Sequence, residues 1–176
     1  MVLDKGLFTD DTVRTAQRLL GCTLHYKGCG GIISETEAYQ AEGDPACVRF
    51  YSKKVQAFAR DAEGGELHIH KTYGIHYMLN ILVKKDCSVG FVLIRALIPN
   101  RGLSRMRKRR DSNTDRHLSD GPGKLTQALG LDARVHGKHL LSVADLSLPE
   151  TSPKFLATPR IGISKGKDLP WRFVLA

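Results

Sequence analysis

The chain has little that would take it into or across a membrane. No apolar run approaches the roughly eighteen to twenty residues that a spanning helix needs, and the stretch Gly90-Phe91-Val92-Leu93-Ile94 is cut by Arg95. The opening residues Met1-Val2-Leu3-Asp4-Lys5 are too polar for a secretion signal, so an unexported protein is expected. Its four cysteines, Cys22, Cys29, Cys47 and Cys87, include no Cys-x-x-Cys pair. That spacing argues against a zinc knuckle or a disulfide framework and for scattered, reduced thiols of a cytosolic protein. Repeats, low-complexity tracts and linkers are also absent, which leaves one domain over residues 1–176 as the expectation. Negative charge is scarce: 18 Asp and Glu stand against 27 Lys and Arg, a net charge of +9. Such an excess fits a protein that meets a polyanion, nucleic acid being the commonest; a basic protein without such a partner is the alternative. With 41% hydrophobic and 26% charged residues, the composition is that of an ordinary globular domain.

The local patterns are short. Thr9-Asp10-Asp11 offers capping oxygens for a helix carrying Val13, Ala16, Leu19 and Leu20 at helical spacing, and Gly21 ends it. Residues 22–26 and 32–39 read as strands around a turn at 27–31. Residues 40–65 look irregular, punctuated by Gly43-Asp44-Pro45 and Gly64-Gly65. Strands are expected at 66–73, 75–83 and 90–97, with turns at Tyr73-Gly74 and Lys84-Lys85-Asp86. The polar, basic stretch 100–121 precedes a short helix at 124–129, and 160–163 and 171–175 read as two more strands. The expected fold is α+β: a single domain with a curved, mainly antiparallel sheet and flanking helices.

Several residues are poor choices for folding alone. In Ser34-Glu35-Thr36-Glu37-Ala38-Tyr39, strand alternation places Glu35, Glu37 and Tyr39 on one face. That face is either a solvated surface or a carboxylate that polarises water beside an aromatic wall. His68 and His70 also share a face; a metal site there lacks an evident third ligand, and the imidazoles can equally be packed rings. Tyr73, at a hairpin tip, either folds back or projects as a wedge into a base stack. Arg95, set among apolar neighbours, must be paired or reach the surface, where it would contact a phosphate or hold a carboxylate. Arg101, Arg105, Arg107, Lys108, Arg109 and Arg110 form the densest positive run, either a DNA-backbone arm or a mobile loop.

These segments, in order, resemble the alkyladenine (3-methyladenine) DNA glycosylase family. The words that carry the resemblance are Ser34-Glu35-Thr36-Glu37-Ala38-Tyr39, then Tyr73-Gly74 with Asn80 seven residues on. Val92-Leu93-Ile94-Arg95-Ala96-Leu97 and Gly121-Pro122-Gly123-Lys124-Leu125 with Gln127-Ala128-Leu129 follow. The resemblance implies a monofunctional enzyme that flips alkylated or deaminated purines from duplex DNA and hydrolyses the N-glycosidic bond. It needs no metal or cofactor and acts as a monomer on damaged double-stranded DNA, in the bacterial cytoplasm or, in a eukaryote, the nucleus. By position, Glu37 resembles the general base and Arg95 the arginine that helps hold the attacking water. Tyr39 resembles one wall of the base pocket, His70 takes the place of the opposing wall, and Tyr73 matches the intercalating wedge. Asn80 matches the pocket-floor asparagine that disfavours bases with a guanine-type amino group. The sequence departs from the family in three places: Val48 stands where a base-binding histidine is usual, His70 where tyrosine is usual, and residues 49–65 have lost most of the family pattern. A lesion-binding relative without turnover, and a metal-dependent hydrolase centred on His68 and His70, are the rival readings.

Overall fold

A computed structural model describes residues 5–47, 52–72, 74–86 and 88–176. After a 3-10 turn at Lys5–Phe8 comes α1 (Thr12–Leu19), whose N-terminus is capped by the Asp11 carboxylate accepting from the Arg14 N–H. Then follow β1 (Thr23–Tyr26), β2 (Cys29–Gln40), α2 (Lys53–Asp61), β3 (Leu67–Thr72), β4 (His76–Lys85) and β5 (Ser88–Arg101). The chain continues with α3 (Leu103–Arg110), α4 (Pro122–Leu129), α5 (Leu140–Val143), β6 (Asp145–Ser147), β7 (Phe155–Thr158) and β8 (Arg172–Leu175). The strands make one open antiparallel sheet in the order β3-β4-β5-β2-β1-β6; β8 pairs with the second half of β2, and β7 pairs with β8. The α+β antiparallel architecture expected from the sequence is the one observed.

Alternation along the strands divides the sheet's two faces by chemistry. Ile33 and Ala38 of β2, Leu79 and Ile81 of β4, and Val92 and Ile94 of β5 enter the main core with Leu19 of α1 and Leu125 and Leu129 of α4. Thr36 ties β2 to α1 through its hydroxyl, which donates to the Ala16 carbonyl at 2.9 Å. On the other face, Leu82 and Phe91 meet Ala59 and Ala62 of the α2 region in a small second cluster. Asn80, Phe91, Leu93 and Arg95 line an open cavity on that side.

The structure corrects several local expectations. The β1–β2 turn is two residues, Lys27 (φ 49°) and Gly28 (φ 70°), so β2 begins at Cys29. Both central residues lie in the left-handed region that a tight hairpin of right-twisted strands demands. Gly31, assigned to the turn, lies inside the ladder because β5 passes so close that a Cβ would stand 2.0 Å from the Ile98 carbonyl oxygen. Residues 53–61, expected to be irregular, form α2, with Val55, Phe58, Ala59 and Ala62 at helical spacing toward Phe91 and Leu82. The basic stretch contains α3, bounded by left-handed Gly102 and Asp111. Residues 160–163 are not a strand: β8 finds its partner in β7, and the loop between them carries Arg160 and Ile161 back to β2. That loop completes the site.

Candidate active site

β2 is flanked by β5 along most of its length and by β8 at residues 35–37, so its middle is enclosed from both edges. The β2–β5 ladder is irregular on both sides of Glu35, leaving Ser34 and Arg95 without ladder partners. Irregularities of this kind re-aim side chains. Here Arg95 comes to lie between two carboxylates: its Nε donates to Glu35 Oε1 at 2.6 Å and its Nη1 to Glu37 Oε2 at 3.2 Å.

Glu37 is fully buried, which removes the solvated-face alternative. A buried carboxylate is tolerated only when several donors replace its water. Glu37 has three: the Tyr39 hydroxyl at 2.7 Å, Arg95, and the Ile161 backbone N–H at 2.8 Å to Oε1. Burial, and then the neighbouring Glu37 carboxylate, pushes the Tyr39 hydroxyl well above its ordinary pKa, so it stays a donor at any working pH. Burial alone would raise the Glu35 carboxyl; Arg172 and Arg95 outweigh it and hold the group below its ordinary range. Arg172 donates to Glu35 Oε1 at 2.6 Å and reaches the Thr158 hydroxyl at 3.1 Å, so charges of alternating sign run Glu37, Arg95, Glu35, Arg172.

A second, deeper pair supports this row. Arg160 and Asp44 are fully buried and joined at 2.6 and 2.7 Å; Arg160 also donates to the Ala38 carbonyl at 2.8 Å. Its guanidinium lies over the Tyr39 ring at 4.7 Å and the Trp171 ring at 5.3 Å. Arg160 therefore seats the Tyr39 ring and also fixes the loop whose next residue gives its N–H to Glu37. Asp44, Arg160, Ile161 and Arg172 were not among the residues expected from the sequence. In the sequence Asp44 reads as turn punctuation, and residues 160–163 as a strand.

Three groups that hold Glu37, namely Tyr39, Arg95 and Ile161, line a cavity of about 350 Å³ with Asn80, Phe91 and Leu93. Glu37 thus sits directly behind its wall. His70 lies beside this wall: its ring stacks on His68 at 5.4 Å, and its Nδ1 is 3.3 Å from Asn80 Nδ2. Val48 and Tyr73 lie outside the described residues. Next to Tyr73, Gly74 takes a left-handed φ of 70° and Ile75 is 72% exposed at the β3–β4 turn. Among the described residues, no three His, Cys, Asp or Glu side chains gather as metal ligands, around His68 or elsewhere.

A larger hollow of about 600 Å³ lies between Lys27, His76, Arg109, Gln127 and Arg134. It is more open than the smaller cavity, and neither Glu37 nor its partners line it. The basic run spans the end of β5 and helix α3, and four of its arginines bond to the rest of the fold. Arg105 donates to the carbonyls of Lys27 and Gly28, Arg109 to that of Ala128, Arg107 pairs with Asp115, and Arg110 bonds Gln127.

The fold and these contacts define a small α+β protein in which one buried, arginine-held carboxylate sits behind a cavity. Comparison with known proteins is specific: the methylpurine-DNA glycosylase family model matches residues 6–176. A Rhodopseudomonas palustris protein is 39% identical over 176 residues, covering 99% of this chain and 84% of its own length. Relatives from Chlorobaculum parvum (40% identical; 94% of this chain, 83% of theirs) and Nitrosospira multiformis (39%; 96% and 88%) are similar to it as well. All three carry the provisional name 3-methyladenine DNA glycosylase. The chain belongs to the methylpurine-DNA glycosylase family.

Proposed function

We propose that this protein is a monofunctional DNA glycosylase that extrudes an alkylated purine from duplex DNA into the cavity lined by Tyr39, Asn80 and Arg95 and hydrolyses its N-glycosidic bond. The carrying observation is Glu37: a buried carboxylate with three donors, two of them (Tyr39 and Arg95) side chains that line the cavity. In this reading Glu37 takes a proton from a water that attacks C1′, while the base leaves with the N9–C1′ electron pair. Arg95 and the Ile161 N–H hold the carboxylate in place, and Tyr39 offers a flat ring on which the extruded base stacks. A base made cationic by alkylation is a good leaving group, so positioning and one activated water supply most of what the reaction needs. Tyr73 fills the gap in the duplex, and Val48 leaves the base without the side-chain partner usual at that position. The net charge of +9 favours DNA, and the protein works as a monomer in the cytoplasm beside the chromosome. No helix among the described residues is long and apolar enough to cross a membrane.

The test is single-turnover release of free base from alkylated duplex DNA by the wild type and by Glu37→Gln. The expected loss is about 10²- to 10⁴-fold, with lesion-DNA binding retained. Base release by Glu37→Gln at the wild-type rate would remove Glu37 from the mechanism. Tight lesion binding with no release by either protein would identify a non-catalytic binder.

A further inference from the structure

Two arginines stand beside Glu37, and both are held by a different carboxylate. Arg95 comes from β5, and Arg172 lies directly opposite Glu37 in the β2–β8 ladder. Each gives its Nε to Glu35 Oε1, in both cases at 2.6 Å. Arg172 then turns its Nη1 to the Thr158 hydroxyl at 3.1 Å, although Glu37 is its cross-strand neighbour. Arg95 gives Glu37 one bond, from Nη1 at 3.2 Å, longer than the bond by which Glu35 holds the same guanidinium. Neither Glu35 nor Arg172 lines the cavity.

An ionised carboxylate offers about four acceptor positions. Among the described residues Glu37 fills three of them: Oε1 takes the Ile161 N–H, and Oε2 takes the Tyr39 hydroxyl and Arg95 Nη1. One position is left, and a general base needs it for the water whose proton it takes. An arginine facing a single carboxylate favours two parallel bonds to it. Arg95 in that mode, or Arg172 reaching straight across the ladder, would fill the last position. We propose that Glu35 is a decoy carboxylate: by taking the Nε of both arginines, it keeps the fourth acceptor position of Glu37 open for the attacking water. The inference rests on the glycosylase reading above. Glu35 is then a positioning residue, acting on the reaction through Arg95 and Arg172 from outside the cavity.

Single-turnover release of an alkylated purine, followed against enzyme concentration, reads the saturating rate and the half-saturating concentration separately. Glu35→Ala lowers the saturating rate about tenfold or more, while the half-saturating concentration stays within about threefold of wild type. Glu35→Gln, which keeps an accepting oxygen at the same reach, retains more of the rate than Glu35→Ala. Added formate, a small carboxylate that can take the two Nε donors, speeds Glu35→Ala severalfold, and chloride at equal concentration does not. A merely structural loss would not respond to formate. If Glu35→Ala does not fold, Glu35→Leu with Arg172→Leu keeps the row neutral and is read in the same way, slower at saturation with binding kept. A wild-type saturating rate in the folded variant, a loss confined to the half-saturating concentration, a Glu35→Gln no faster than Glu35→Ala, or a Glu35→Ala indifferent to formate would overturn the proposal. Release of no alkylated purine by the wild type overturns the glycosylase reading itself, and this inference with it.

Discussion

Arginine is used in two opposite ways in this molecule. On α3, four arginines crowd into one short helix and are spent largely on fastening it: to the β1–β2 turn, to the end of α4, to Asp115 and to Gln127. Around β2, by contrast, Arg95, Arg160 and Arg172 come from distant parts of the chain, stand singly among apolar neighbours, and meet carboxylates. An isolated cation in an apolar strand carries a desolvation cost that only a specific partner offsets, so its position is informative. Crowded surface cations carry little such cost, and their density says little about their role.

The contrast can be broken most severely at Asp44. Asp44→Asn leaves Arg160 buried and uncompensated, with an expected loss of about 3–5 kcal/mol in denaturant unfolding. Replacing both partners by apolar residues, Asp44→Leu with Arg160→Met, should recover most of that stability yet still slow base release, because Tyr39 and the Ile161 N–H lose their fixed seat. Full activity in the double variant would reduce the pair to a structural role.

Gly31→Ala probes the same face from the backbone side. The new Cβ would meet the Ile98 carbonyl oxygen at 2.0 Å, so the β2–β5 ladder must open, at about 1–3 kcal/mol in thermal unfolding. Acid should act through Glu35. Its folded pKa lies below its ordinary value of 4.5, so the stability it lends is complete above that value and fades as pH falls through the lower folded one. Glu35→Gln should flatten the decline in unfolding free energy over that acidic window; an unchanged decline would assign it to other carboxylates. The smallest effect is expected on the α3 side: Arg105→Gln frees two exposed carbonyl contacts and should cost about 0.5–1.5 kcal/mol.

The sequence made the site's centre legible and hid its support. Glu35, Glu37 and Tyr39 were readable because strand alternation puts them on one face, and Arg95 because it interrupts an apolar run. The sheet was readable from its apolar runs: β4 and β5 each carry five consecutive buried residues, at 79–83 and 90–94. Asp44 and Arg160 were not: 116 residues separate them, and neither local pattern marks a buried pair. The Ile161 contact is made by backbone, on which side-chain chemistry is silent. α2 was legible in retrospect, since Val55, Phe58, Ala59 and Ala62 have helical spacing, but the glycines and Pro45 around it drew the reading toward loop. On α3, charge density suggested an arm, although arginine and lysine are good helix formers and Leu103 and Met106 provide a three-residue apolar spacing.

The most direct test of the account sets the two kinds of arginine against each other. Single-turnover release of an alkylated purine at saturating enzyme is compared for Arg95→Gln and Arg105→Gln, each confirmed folded. The account predicts that Arg95→Gln loses about 10²-fold or more, because Glu37 loses the cation that holds it, while Arg105→Gln stays within about twofold of wild type. Unimpaired release by Arg95→Gln, or a loss of comparable size in Arg105→Gln, would contradict the claim that the buried arginine–carboxylate row carries the chemistry.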